Sequence, residues 1–183
     1  MALGSPQWMY KSGEAFTLDQ SLRFEEGRET YLSRTPSSNG NRDVWTFSAW
    51  VKINEEKAAM QPIFYAADPS NGNYYTRIGL ISANQFFVNQ YNNSAFIINL
   101  KSSASLRDMG GWYHLVVAVD TTQATDTNRV KMYINGVQVT SLVETTYPTQ
   151  NLDTYHNSTS YIQYISAGNG SASPDLWGSL YQA

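Results

Sequence analysis

The chain has 183 residues and a formal charge of −3; 42% of its residues are hydrophobic, only 15% are charged, and there is no cysteine. Thirteen tyrosines and five tryptophans exclude a disordered chain, and the absence of any basic run argues against nucleic acid. Lack of cysteine removes disulfide frameworks and thiolate metal sites, and no stretch reaches the roughly 18 apolar residues of a membrane-inserted span.

Residues 1–18 form an irregular lead interrupted by Gly4, Pro6 and Gly13. Its start, MALGSPQWMYKSGE, has neither the basic beginning nor the apolar centre of a signal peptide. The chain is therefore expected to be made and folded in a cytoplasm, or exported by a route the sequence does not display. Trp8, Met9 and Tyr10 cluster in this polar lead and are expected to dock against a partner chain or the domain edge.

Short strands are expected from there on. QSLRF (20–24) and TYLSRT (30–35) precede a turn-rich loop, PSSNGNRD (36–43). In VWTFSAWVKI (44–53), Trp45, Phe47, Ala49, Val51 and Ile53 alternate toward one face, and Thr46, Ser48, Trp50 and Lys52 toward the other. NEEKAAM (54–60) could close one helical turn. PIFYAA (62–67), YYTRIGLI (74–81), NQFFVNQ (84–90) and AFIINL (95–100) follow as strands, the second and third as a hairpin, with DPSNGN (68–73) and YNNS (91–94) as turns. KSSASLRDMGG (101–111) reads as a connection. WYHLVVAVD (112–120) is apolar on both faces and predicts a central strand covered on both sides.

VKMYINGVQV (130–139) is a hairpin signal, since Asn135-Gly136 suits a type I′ turn in which both residues take positive φ. In that register Ile134 faces Val137 and Met132 faces Val139, all four on one face expected to be buried. Residues 144–160 are polar with no clear period. YIQYISAG (161–168) and DLWGSLYQA (175–183) are late strands. About a dozen short strands with turns between them predict an all-β sandwich or barrel.

Three elements, FSAWVK (47–52), GWYHLVVAVD (111–120) and VKMYINGVQV (130–139), carry a resemblance. In this order and spacing they resemble the concanavalin A-like lectin/glucanase superfamily in its laminin G-like and pentraxin-like branch. LWGSLYQA resembles that fold's closing strand. YLSRTPSSNGNRDVWTFSAWVK (31–52), with SPQWMY upstream, resembles the form of this domain found in tailed-bacteriophage virion and tail-fibre proteins. The resemblance implies a jelly-roll sandwich of two antiparallel sheets over residues 19–183. It also implies a binding role directed at glycans or proteins, and places the chain in a virion, as a homotrimer among other virion proteins. The closing strand of that fold runs further past its glycine than SLYQA does here, so the native polypeptide is expected to extend beyond Ala183.

Catalysis is not expected. The glucanases of the superfamily carry Glu-x-Asp-x-x-Glu on one strand, and none of the fifteen acidic residues here falls in that pattern. No nucleophile or orienting partner is marked for His114, which reads as packed beside Trp112 in the sandwich; His156 reads as exposed in a loop. Trp45 and Trp112 read as core. Tyr74, Tyr75, Tyr91, Asn92, Asn93, Tyr155 and Trp50 are the candidate ligand contacts, because loop Tyr and Asn supply rigid contact area and hydrogen bonds. Ordinary turn chemistry is the competing reading of each. Asp120 and Asp126 bracket one loop, and Asp68, Asn71 and Asn73 form another. Neither has a calcium-loop signature, so no cofactor or metal is expected, with calcium as the alternative. The leading expectation is a lectin-like adhesin meeting a host-surface glycan or receptor. The alternative is an architectural virion protein, a capsid decoration or tail adaptor.

Overall fold

The computed structural model describes residues 22–24, 30–53, 59–167 and 181–182. Twelve strands lie in two antiparallel sheets, with no α-helix among the described residues. In chain order they are β1 (Leu32–Arg34), β2 (Val44–Ile53), β3 (Gln61–Ala67), β4 (Tyr74–Ile81), β5 (Gln85–Asn92), β6 (Phe96–Ser105), β7 (Trp112–Asp120), β8 (Val130–Ile134), β9 (Val137–Gln138), β10 (Leu142–Thr146), β11 (Ile162–Ile165) and β12 (Tyr181–Gln182). One sheet has seven strands in the order β1-β11-β3-β4-β5-β6-β10, and the other five in the order β12-β2-β7-β8-β9. This is the expected all-β, two-sheet sandwich.

The core lies between the sheets and follows the period-2 alternation of the strands. From the five-stranded sheet come Trp45, Val51, Ile53, Leu115, Val117, Val119, Val130 and Met132. From the other come Phe64, Ala66, Ile78, Leu80, Phe86, Val88, Ile98 and Leu100. Phe24 joins this core, while Arg23 beside it makes only an isolated bridge, so the described part of QSLRF is not a full strand.

The 130–139 hairpin has the expected turn and register. Asn135 and Gly136 take φ of 51° and 80°, Ile134 pairs with Val137, and Met132 accepts the Val139 N–H at 2.8 Å. Burial of its apolar face is incomplete. Met132 is sealed, but Val137 is 71% exposed because β9 is the edge of its sheet and the hairpin tip overhangs the core.

Strand β7 is central in hydrogen bonding, flanked by β2 and β8, but not covered on both sides. Leu115, Val117 and Val119 are buried, whereas Val116 and Ala118 are half-buried on the outer face. Trp112, expected in the core, shares that outer face and is 40% exposed. The stretch expected as a connection after residue 100 continues β6 to Ser105. Its backbone pairs with β5 on one side and β10 on the other, which the serine-rich sequence concealed.

The aperiodic segment 147–161 is held by the turn-rich loop before β2 rather than by a sheet. Thr154 Oγ1 donates to the Arg42 carbonyl at 2.7 Å and accepts Trp45 Nε1–H at 2.8 Å. Arg42 Nε donates to the Thr154 carbonyl, Asn157 Nδ2 to the Asn41 carbonyl, and the Thr159 N–H to Asn39 Oδ1. His156, expected to be exposed, is wedged between the sheets, its ring 4.4 Å from Trp45 and 4.9 Å from Phe64. Burial pulls its pKa down to about 4.

The possible helical turn at 54–60 and the docking residues Trp8, Met9 and Tyr10 fall largely or wholly outside the described residues, as does most of the closing strand.

Candidate ligand-binding face

The outer face of the seven-stranded sheet carries an uncommon set of side chains in register. Alternation sends Ile78 and Leu80 of β4 inward, and Tyr75 and Arg77 outward. Pairing then aligns one row across all seven strands. Ser33 stands opposite Tyr164, Tyr164 opposite Tyr65, Tyr65 opposite Arg77, Arg77 opposite Asn89, Asn89 opposite Asn99, and Asn99 opposite Thr146. Every member can donate or accept a hydrogen bond.

A second, apolar row runs alongside: Ile162, Ala67, Tyr75, Tyr91 and Phe96 are successive cross-strand partners. Rings link the rows. Centroid separations are 6.0 Å for Tyr31–Tyr164, 6.1 Å for Tyr164–Tyr65, 5.8 Å for Tyr65–Tyr75, 5.5 Å for Tyr75–Tyr91 and 5.2 Å for Tyr91–Phe96. These distances fall within the range of favourable aromatic pairs. The result is one continuous band of rings crossing from the lead of β1 to β6.

Arg77 sits in this band and is 9% exposed. Its Cζ lies 3.9 Å from the centre of the Tyr75 ring, its Nε donates to Asn89 Oδ1 at 3.3 Å, and its Nη2 donates to the Tyr75 hydroxyl. Burial lowers the guanidinium pKa and raises those of Tyr65, Tyr75 and Tyr164. The phenols therefore stay neutral and serve as hydrogen-bonding groups. Three strands away, Glu144 on β10 receives Lys101 Nζ and Asn99 Nδ2; the Lys101 contact, first, keeps its carboxyl below the usual range.

The expected ligand contacts divide among several places. Tyr75 and Tyr91 belong to the band just described. Tyr74 and Tyr155 meet at one end of the sandwich, 6.2 Å apart, and Tyr155 stacks on Tyr161 at 4.5 Å. Burial pushes the Tyr155 pKa up to about 12. Asn92 Oδ1 accepts the Ala95 N–H and the Ser94 hydroxyl, and Asn93 has a φ of 68°, so both serve the β5–β6 turn. Trp50 is on the other sheet's outer face, where its ring stacks on His114 at 5.0 Å and His114 Nε2 shares a 2.8 Å hydrogen bond with Ser48 Oγ.

Sequence reading passed over Tyr31, Tyr65, Arg77, Asn89, Asn99 and Tyr164. The available signal was a polar or tyrosine residue next to an inward apolar one, as at Tyr65 beside Phe64, Arg77 beside Ile78 and Asn89 beside Val88. The loops considered for calcium spend their oxygens internally: Asp68 Oδ1 accepts the Ser70 N–H and hydroxyl, and Asp120 accepts from Thr122 and Gln123.

The chain is an antiparallel two-sheet sandwich with ring-lined polar rows on one outer face. The chain belongs to the Laminin_G_3 family of the concanavalin A-like lectin/glucanases superfamily, whose profile matches residues 26–176. Solved structures share the fold at low identity. The sialidase-associated CBM40 module of Ruminococcus gnavus bound to alpha2,3 sialyllactose is 14% identical, with a TM-score of 0.63 over 89% of this chain and 88% of that one. A SAP-like pentraxin from Limulus polyphemus is 15% identical, with a TM-score of 0.56 over 88% and 71%. Domains LG4-5 of the mouse laminin alpha1 chain are 12% identical, with a TM-score of 0.59 over 98% of this chain and 45% of that one. No curated protein sequence matches the chain.

Proposed function

We propose that this protein is a non-catalytic glycan-recognition module that binds through the outer face of its seven-stranded sheet. The observation that carries the reading is the in-register row Ser33–Tyr164–Tyr65–Arg77–Asn89–Asn99–Thr146 beside the aromatic row through Tyr75, Tyr91 and Phe96. A sugar presents an apolar ring face and a rim of hydroxyls. Aromatic rings beside neutral phenols and carboxamides match both, and mutual packing holds them in place before any ligand arrives. The sialyllactose-bound module of the same fold supports this reading by likeness.

The setting we propose is a bacteriophage particle, with the module trimeric in a tail fibre or related virion protein and its glycan on the host surface. The support is the likeness of YLSRTPSSNGNRDVWTFSAWVK to phage forms of the domain. A second reading, an architectural virion protein, is favoured by Val137 and Val143, 71% and 55% exposed on the edge strands β9 and β10. A bacterial-surface glycan array probed with the purified protein separates the two. The recognition reading expects a discrete set of bound sugars, and binding to none overturns it in favour of the architectural one.

A further inference from the structure

Arg77 is the least easily explained side chain on the outer face. A buried cation ordinarily stands beside an anion, because leaving it unpaired away from water is costly. Here the partners are the Asn89 carboxamide, the Tyr75 hydroxyl and the Tyr75 ring, all neutral. Among the described residues no carboxylate pairs with it. Glu144, the acidic side chain in register on this face, is engaged by Lys101 and Asn99. Among the described residues the row therefore carries one positive charge at its centre with no anionic partner. Nε and Nη2 have acceptors, while the other N–H groups of the fork have none among the described residues.

We propose that Arg77 is the anchor for an oxyanion on a bound saccharide, and that the glycans recognised by this face are acidic, with a carboxylate-bearing sugar such as a uronic or sialic acid at the Arg77 position. This rests on the glycan-recognition reading above and names its ligand class. A planar carboxylate matches the guanidinium fork, and the surrounding rings would strengthen the pair by excluding water. Asn89 and Tyr75 act as positioning residues, holding the guanidinium from two sides so that its free edge is aimed before binding. The flanking Tyr164 hydroxyl would then meet the hydroxyls of the same or a neighbouring sugar unit.

The test is binding of the full chain to oligosaccharides ending in a uronic or sialic acid, to their carboxyl-reduced counterparts, and to sulfated neutral sugars. The wild-type protein is expected to prefer the carboxylates, and Arg77→Gln to lose about 30-fold or more of that affinity, as removal of one partner of a buried charge pair does. Arg77→Lys is expected to recover only part of it, since an ammonium cannot bind in a fork. Equal binding of acid and reduced forms, unchanged in Arg77→Gln, overturns the inference and leaves the glycan reading standing. Sulfated sugars bound in place of carboxylates overturn the carboxylate assignment. No binding to any sugar overturns the glycan reading itself. If Arg77→Gln does not fold, the wild-type Arg77 Nε–H resonance decides: it should shift on titration with glucuronate and not with glucose, and an unmoved resonance counts against the site.

Discussion

The two sheets present opposite solutions on their outer faces. On the five-stranded sheet, Trp50 and Trp112 stay about two-fifths exposed, at 38% and 40%, and one stacked pair with His114 is the main contact. On the seven-stranded sheet, Tyr65, Tyr75 and Tyr164 are 2%, 8% and 8% exposed, and each ring touches the next across the strands. The first face offers isolated apolar area. The second holds its polar groups fixed by packing, which is what a selective site needs. The comparison teaches that exposure alone is a poor guide to function. The better guide is a set of polar groups ordered at a cost that only a ligand, or a very specific packing, would justify.

The largest expected effect separates the faces by stability. Tyr65→Ala should destabilise by about 3–5 kcal/mol, as loss of a buried aromatic does, whereas Trp50→Ala should cost only about 1 kcal/mol, the worth of a stacked pair. Denaturant titrations of the two variants check this, and similar losses would erase the distinction.

His156 belongs to both sides of the comparison, since Trp45 and Phe64 reach it from opposite sheets. Its folded pKa, about 4, lies below the ordinary histidine value of 6.5. The group therefore favours folding fully above pH 6.5, and that contribution fades as pH falls toward 4. The fall should amount to at most about 3 kcal/mol, from the size of the shift. His156→Phe should flatten this limb of the stability profile. An unchanged acid limb would show that the ring is not sealed between the sheets.

A smaller effect is expected at the edge of the five-stranded sheet. Gly136 has a φ of +80° and open space where a Cβ would sit, so Gly136→Val meets no clash. It should still cost about 1–2 kcal/mol, because a β-branched residue resists that backbone conformation. Thermal unfolding with ligand binding unchanged would confirm that this edge is remote from the site.

Much of the fold was legible because turn and alternation agreed. Asn135-Gly136 set the β8–β9 register, and the alternating apolar residues of β2 identified its inner face. What escaped detection had a physical reason. Strand β10, Leu-Val-Glu-Thr-Thr, and the second half of β6, Lys-Ser-Ser-Ala-Ser, lack a clean apolar alternation, yet their backbones pair regardless of side chain. Trp112 was taken for core because an aromatic in an apolar strand gives no sign of which face is wet. The band through Tyr65, Arg77, Asn89 and Tyr164 exists only after strands distant in sequence are placed side by side. β11, for instance, inserts between β1 and β3, and no local pattern announces that.

The claim that one face binds and the other does not can be tested on a single glycan ligand selected from the array. Its affinity should be measured for Tyr91→Ala on the seven-stranded face and for Trp50→Ala with Trp112→Ala on the five-stranded face. We expect Tyr91→Ala to lose at least about tenfold, the worth of one stacked ring, and the double tryptophan variant to bind as the wild type does. Loss in the tryptophan variant with Tyr91→Ala unaffected would contradict the account and move the site to the opposite sheet.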